Sequence, residues 1–182
     1  MRKQILMGNW KMNGNLISIA NLLKELTMSV TAPSNTEVVV VPPAVYLPYV
    51  SSFLRESSIQ WGAQNVYPEA SGAFTGELSG PMLQDFACHY VLVGHSERRT
   101  LFQENEKFVA DKFHHVKEHG MIPVLCVGET LAERDAGLTK DVLAKQLQSV
   151  ASHHPDAFRH TDRFVVRCRS VFLRQHCRAA RI

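Results

Sequence analysis

Hydrophobic and polar residues follow two different periods along this chain of 182 residues. Five short apolar runs, bounded by glycine and polar residues, predict β-strands. They lie at residues 4–7, 38–41, 59–63, 90–93 and 122–127. Between these runs, apolar residues recur every three or four positions, which is typical of amphipathic helices.

The helical segments alternate regularly with the strands. Residues 16–29 carry apolar side chains at helical spacing after Asn15, a candidate N-cap. Four more segments share this pattern, at residues 45–55, 80–88, 105–119 and 139–153. Repeated strand and helix units indicate an α/β domain with a parallel sheet and crossover helices. The connection over residues 64–78 is longer than such loops usually are.

Polar residues that directly follow the strands define a candidate site. In a parallel α/β sheet the carboxyl ends of all strands share one edge, where such folds build their ligand sites. We therefore expect several polar side chains to converge there. They are Asn9, Lys11, Asn65, His95, Glu97 and Glu129.

His95 falls in the first turn of a helix that follows the fourth strand. Unpaired backbone N–H groups and the positive end of the helix dipole disfavour a charged imidazolium at such a place. A neutral imidazole can donate a hydrogen bond to a carbonyl oxygen and so act as an electrophile. The alternative is a histidine that only caps the helix.

Lys11 adds a cation to the same edge, with Asn9 two residues before it. A lysine in this position suits an anionic substrate such as a phosphate ester or an enolate. Taken alone, a lysine is more often a solvated surface charge. The coincidence of these groups on one edge favours a binding site.

Composition narrows the classes of function. The hydrophobic content of 45% suits one globular core, and no apolar run resembles a signal peptide or a membrane span, so we expect a cytoplasmic protein. The four cysteines, at 88, 126, 168 and 177, show no CxxC spacing, which favours reduced thiols. Cys168, His176 and Cys177 lack the spacing of a metal site. We expect no metal and no cofactor.

Five ordered motifs closely resemble triosephosphate isomerase. They are GNWKMNG at 8–14, GAQN at 62–65, SGAFTGE at 71–77, GHSERR at 94–99 and PVLCVGE at 123–129. The resemblance implies a TIM (β/α)8 barrel, incomplete here with five to six of the eight βα units. It also implies an aldose–ketose isomerase of glycolysis and gluconeogenesis, which interconverts dihydroxyacetone phosphate and D-glyceraldehyde 3-phosphate through an enediolate.

The resemblance also implies roles for individual residues. His95 is similar to the family's neutral electrophile, and Lys11 to the cation that holds the phosphodianion and the developing oxyanion. Asn9 is similar to the amide beside that lysine, and Glu97 to the acid that supports it. Thr75 lies near the tip of the long loop, which resembles the loop that enters the partner subunit in this homodimeric family.

The resemblance ends near residue 166. Family members continue with a strand ending of the form Ala-Tyr-Glu-Pro-Val-Trp, whose glutamate is the catalytic base. Here Arg169 stands in that register, and no carboxylate follows Asp162. Because an arginine stays protonated at physiological pH, we expect turnover near background. We also expect an open sheet with unpaired edges at strands one and six, and with interior side chains in contact with water.

The charge distribution changes at the same place. Residues 163–182 hold six arginines and no carboxylate, whereas residues 1–162 hold 14 of the 20 basic residues and all 17 acids. We therefore predict a partial barrel over 1–162 and a divergent arginine-rich tail over 163–182, arising from a disrupted reading frame or a truncated gene. The alternative is a non-catalytic product whose basic tail binds nucleic acid or another polyanion without specificity.

Overall fold

The computed structural model describes residues 4–31, 35–153 and 165–167. Six parallel strands form one sheet, and helices connect them. The strands are β1 (Gln4–Asn9), β2 (Thr36–Val41), β3 (Gln60–Ala63), β4 (Tyr90–Val93), β5 (Ile122–Val127) and β6 (Val165–Arg167). The helices are α1 (Leu16–Ser29), α2 (Leu47–Leu54), α3 (Gly80–Asp85), α4 (Ser96–Leu101), α5 (Glu106–Glu118), α6 (Leu131–Asp135) and α7 (Thr139–His153).

The order of the strands in the sheet follows their order in the chain, from β1 at one end to β6 at the other. Every neighbouring pair is parallel, so all the carboxyl ends lie along one edge. The sheet curls into part of a barrel, and within the described residues β1 and β6 do not pair. This confirms the expected incomplete (β/α)8 barrel with an open sheet.

Local sequence fixes where the first helix begins. The side-chain oxygen of Asn15 accepts from the backbone N–H of Ser18 at 2.9 Å, and the Ser18 hydroxyl accepts from the N–H of Asn15 at 3.0 Å. This reciprocal capping box confirms Asn15 as the N-cap. Ile19 and Leu23, on the apolar face of α1, are buried against the sheet and its neighbours.

Apolar side chains fill both faces of the curled sheet. The outer face packs against the helices in one large core. The inner face holds a second core of buried side chains, which are Val39, Val41, Tyr90, Leu92, Val124 and Cys126. The expectation that interior side chains would contact water is therefore wrong for β2, β4 and β5. Curling brings these branched and aromatic side chains together, and Ile5, Met7 and Ile122 pack against them.

Several predicted elements differ from the observed ones. The segment 45–55 divides into a short 3₁₀ turn, Ala44–Tyr46, and α2, which has a proline at its start. Residues 80–88 are helical only as far as Asp85. The predicted tail, residues 163–182, lies outside the described residues except for the three residues of β6, which pair with β5. Arg169, His176 and the cysteines at 168 and 177 also lie outside them.

Three further observations concern the described residues alone. No helix among them is long and apolar enough to cross a membrane. No group of three potential metal ligands lies together in this part of the chain. Cys88 and Cys126 are buried and are not joined in a disulfide.

Candidate active site

The first predicted group, Asn9 and Lys11, lies at the carboxyl end of β1. The side-chain oxygen of Asn9 accepts from the backbone N–H of Lys11 at 2.9 Å. Lys11 has a φ of +52°, in the left-handed region that a residue with a side chain rarely adopts. Strained backbone of this kind persists only where the surroundings hold it in place.

Gln64 supplies part of that hold. It follows β3, and its side-chain amide donates to the carbonyl oxygen of Lys11 at 2.9 Å and to that of Val41 at 3.0 Å. One amide thus ties the strained residue to the end of β2. Sequence reasoning missed Gln64 as a site residue, although the motif GAQN at 62–65 contains it.

His95 is the N-cap of α4 and not a residue of its first turn. Its Nδ1 atom accepts from the backbone N–H of Glu97 at 3.2 Å, and its side chain is 13% exposed. An imidazole nitrogen that accepts carries no proton, so the neutral ring holds its proton on Nε2. His95 therefore caps α4, and the same hydrogen bond selects the tautomer that can donate through Nε2.

Glu97 lies between the cation and the histidine. Its Oε1 atom accepts from Lys11 Nζ in a salt bridge, and its Oε2 atom is 3.6 Å from His95 Nδ1. Lys11, which follows β1, and Glu97 of α4 are 86 positions apart in sequence and meet at this edge, as predicted. The edge presents a neutral imidazole and an ammonium group held by a carboxylate.

Glu129 lies after β5, as predicted, but its carboxylate is engaged. Arg134 donates to Oε1 of Glu129 through Nε at 2.9 Å and through Nη2 at 2.8 Å. The glutamate side chain is buried in this pair. Because Arg134 engages this buried carboxylate, the geometry does not present Glu129 to a substrate as a replacement base.

Asn65 takes part in a buried ionic cluster behind the edge. Its side-chain oxygen accepts from Lys112 Nζ at 2.7 Å, and its amide donates to Glu77 at 3.4 Å. Lys112 also donates to Glu104 Oε1 at 2.6 Å, and Arg98 donates to the same oxygen at 2.5 Å. The polar atoms of Asn65 are thus committed to α5 and to the long loop.

The buried position of Lys112 changes the pKa of its ammonium group. Burial lowers the pKa of its ammonium group, and the hydrogen bond and the charge of Glu104 oppose that shift. The cluster joins α4, which His95 caps, to α5 and to the start of the long loop. It thus ties together the elements that carry the candidate site.

Thr75 lies exposed at the tip of the long loop. The backbone N–H of Glu77 donates to the carbonyl of Phe74 at 3.0 Å, which closes a turn around Thr75. At the base of the loop, Tyr67 N–H donates to the carbonyl of Leu78 at 2.7 Å, and the Tyr67 ring packs on Phe74 with centroids 4.2 Å apart. The loop is thus shaped by contacts of its own.

Chemically, the edge combines a hydrogen-bond donor with a cation. A neutral imidazole N–H and an ammonium group suit a substrate that carries a carbonyl beside an anionic group. The candidate site is built from side chains of Asn9, Lys11, Gln64, His95 and Glu97.

Most of this sequence is shared with known proteins. Residues 4–165 match the sequence profile of the family described as Triosephosphate isomerase. The triosephosphate isomerase of Legionella pneumophila (strain Lens) is 55% identical over 159 residues, which are 87% of this chain and 64% of the relative. That of Dechloromonas aromatica (strain RCB) is 52% identical over 150 residues, 82% of this chain and 60% of the relative. This chain spans less than two thirds of the length of these relatives. A match over most of its residues, in both profile and sequence, shows that the chain belongs to the triosephosphate isomerase family.

Proposed function

We propose that this chain carries the carbonyl-polarising part of a triosephosphate isomerase site. The substrate would be a triose phosphate, either dihydroxyacetone phosphate or D-glyceraldehyde 3-phosphate. The observation that supports this proposal is the meeting of Lys11, Glu97 and His95 at one edge, with the histidine fixed in the tautomer that donates through Nε2.

Each residue has a distinct role in the proposed reaction. His95 Nε2–H donates to the carbonyl oxygen of the substrate and stabilises the charge that develops there. Lys11 Nζ binds the phosphate dianion and the same developing charge. Asn9 and Gln64 hold the backbone of Lys11, while Glu97 holds its ammonium group.

The described residues at the strand ends offer no evident base for the carbon-bound proton, because the two carboxylates that follow β4 and β5 are both paired with cations. In the sequence, Arg169 stands in the register expected for the base. General base catalysis typically contributes about 10² to 10⁴-fold. We therefore expect substrate binding with isomerase turnover close to background.

The family also suggests an assembly and a place in metabolism. A second copy of the chain would contact the loop around Thr75. This loop is exposed, and its conformation is held by hydrogen bonds within the loop itself. The reaction would belong to glycolysis and gluconeogenesis, in the cytoplasm. The alternative of a polyanion-binding tail concerns residues outside the described ranges, and no observation favours it.

Binding and turnover are tested separately. Turnover is measured as coupled conversion of D-glyceraldehyde 3-phosphate, with protein made in a host that lacks the isomerase. Binding of dihydroxyacetone phosphate is measured by calorimetry for the wild type, Lys11→Met and the matched control Lys107→Met, which removes a lysine 72% exposed on α5. Lys11→Met should weaken binding by about 10- to 100-fold, the value of a hydrogen bond to a charged group, and the control should not.

The role of His95 has its own measurement. The infrared carbonyl stretch of bound dihydroxyacetone phosphate should fall relative to solution in the wild type, and should return towards the solution value in His95→Gln. Equal affinity in wild type and Lys11→Met, or a carbonyl stretch that His95→Gln leaves unchanged, would contradict the proposal. A full rate of turnover that His95→Gln abolishes would show that another residue supplies the base.

A further inference from the structure

A buried histidine on α5 contacts the first residue of α3. The backbone N–H of Gly80 donates to Nε2 of His115 at 3.1 Å. The His115 side chain is buried, with 5% of the residue exposed. This bond requires that Nε2 carry no proton, so it exists only while the imidazole is neutral.

A second histidine, His119, is the C-cap residue of the same helix and lies beside this contact. The rings of His115 and His119 pack with centroids 4.2 Å apart. His119 Nδ1 lies 2.8 Å from the carbonyl oxygen of His115, and Gln84 of α3 donates to the carbonyl of His119 at 2.6 Å. Two residues of α3 are thus held by the last turn of α5 and by its C-cap.

Only glycine fits at the point of contact. A Cβ atom at Gly80 would lie 2.9 Å from His115 Nε2 and 2.8 Å from Cγ of His119. These distances are shorter than side chains normally allow, so the close approach of the two imidazoles depends on the missing side chain. The backbone of α3 and the rings of α5 form a closely fitted pair.

The site of contact is the base of the long loop. Ser79, the residue before Gly80, caps α3 and ends the connection from β3 that carries Thr75 at its tip. The bond to His115 therefore fixes the carboxyl-terminal stem of that loop against α5. It is a contact of the framework and does not touch Lys11 or His95.

Electrostatics favour the neutral ring at this place. Burial lowers the pKa of His115, and the neighbouring His119 lowers it further, against Glu118 of α5 and Glu69 of the loop. The unfolded chain, with an ordinary histidine pKa of about 6.5, binds the proton more readily than the folded one. The contact therefore contributes its full stabilisation above that pH, and this stabilisation is lost as the pH falls from there through the folded pKa.

We propose that His115 is an acid-sensitive latch, which ties the stem of the long loop to α5 when neutral and releases it when protonated. Protonation places a hydrogen on Nε2 opposite the N–H of Gly80, so an attractive contact becomes a repulsive one. The charge also falls at the amino-terminal end of α3, where the helix dipole opposes a cation.

Hydrogen exchange at Gly80 tests the latch on the intact chain. The protection of its amide, corrected for the intrinsic rate, is measured by NMR between pH 7.5 and pH 5. It should fall by about tenfold for each pH unit below about 6.5, until the pH reaches the folded pKa. The amide of Val109 in the same helix, bonded at 3.0 Å to the carbonyl of Asn105, should keep its protection.

Two variants separate the latch from general acid sensitivity. His115→Gln supplies an amide oxygen as an acceptor that does not titrate, so the pH dependence at Gly80 should disappear. His89→Gln removes an exposed histidine elsewhere, and the pH dependence should remain. If protection at Gly80 in the wild type is independent of pH, or falls equally in His115→Gln, the proposal is overturned. The measurement on the wild type alone decides the matter if the variant fails to fold.

Discussion

In the buried cluster around Glu104, we predict that removing the charge of Glu104 lowers the free energy of unfolding more than removing the charge of Lys112. Glu104 and Lys112 are 3% and 1% exposed, and Oε1 of Glu104 also accepts from Arg98. Glu104→Gln leaves both cations without their carboxylate. Lys112→Met leaves Glu104 with Arg98, so only one partner is lost.

The expected magnitudes follow from this difference. Removing one partner of a buried ion pair costs about 3–5 kcal/mol, because the remaining charge is left uncompensated. That value applies to Glu104→Gln. For Lys112→Met we expect about 1.5–3 kcal/mol, the value of a hydrogen bond to a charged group, because Glu104 keeps Arg98 and the main loss is the bond between Lys112 and Glu104. Lys107→Met is the matched control, because its pair with Asp111 is exposed and should contribute less than about 0.5 kcal/mol.

Equilibrium unfolding in urea measures all three variants. With a slope of about 2 kcal/mol per molar urea, the midpoint should fall by about 1.5–2.5 M for Glu104→Gln and by about 0.8–1.5 M for Lys112→Met. The loss in free energy of unfolding caused by Glu104→Gln, relative to the wild type, should become smaller as the pH rises towards 10. The pKa of Lys112 is lowered in the folded state, so raising the pH neutralises the stranded ammonium group there before it does so in the unfolded chain.

Equal losses in the two variants would refute this reasoning, since the structure gives Glu104 a second cation and Lys112 no second direct carboxylate contact among the described residues. A deficit of Glu104→Gln that grows with pH would refute it as well. In that case the penalty would not come from an uncompensated lysine.

Three further predictions concern single positions. Burial raises the pKa of the Cys88 thiol to about 12, so an alkylating reagent at pH 8 should modify it only after unfolding, and labelling at the rate of a model thiol would contradict its burial. Gly62→Ala should lower stability by about 1–3 kcal/mol in urea titrations, because its Cβ would lie 2.4 Å from the carbonyl oxygen of Tyr90 on the paired strand; a neutral result would mean that the two strands separate easily. Leu6, on the edge strand β1, is 66% exposed, so Leu6→Lys should reduce concentration-dependent association in size-exclusion chromatography, and an unchanged elution profile would show that this edge does not drive association.

The strands were predictable because their apolar runs are short and sharply bounded. Each predicted run overlaps an observed strand, and β4 and β5 have the predicted limits. Two strands are longer than predicted: β1 continues through Gly8 and Asn9, and β2 begins at Thr36. These added residues pair with the neighbouring strand and carry no apolar signal. Backbone pairing, and not side-chain character, extends these strands.

The short helices are a different case. The sequence LAERD of α6 has too few residues to show a helical period. It forms because Thr130 and Glu133 make a capping box at its start, with the Thr130 N–H donating to Glu133 at 2.7 Å. A pattern search for amphipathic helices does not detect an element that depends on its cap.

The candidate site was predictable in its members and less so in their connections. Lys11, His95 and Glu97 meet as expected, because the carboxyl ends of parallel strands share an edge. The orientation of Asn65 was not predictable, since its amide is drawn towards a lysine 47 positions later. The role of Gln64 was not predictable either. Its two acceptors are backbone oxygens, which every residue carries, so the sequence does not distinguish them.

The order of the strands has a consequence for how this chain is made. Each strand from β2 to β6 pairs with the strand before it in the chain. When a new βα unit leaves the ribosome, the strand that it pairs with has therefore already been synthesised. Domains form from the amino terminus during synthesis, at about 5–20 residues per second. We expect the growing sheet to have one newly exposed edge at any moment, which moves from strand to strand as translation proceeds. A chaperone that recognises unpaired strand edges would then meet a succession of similar sites and not a single fixed one.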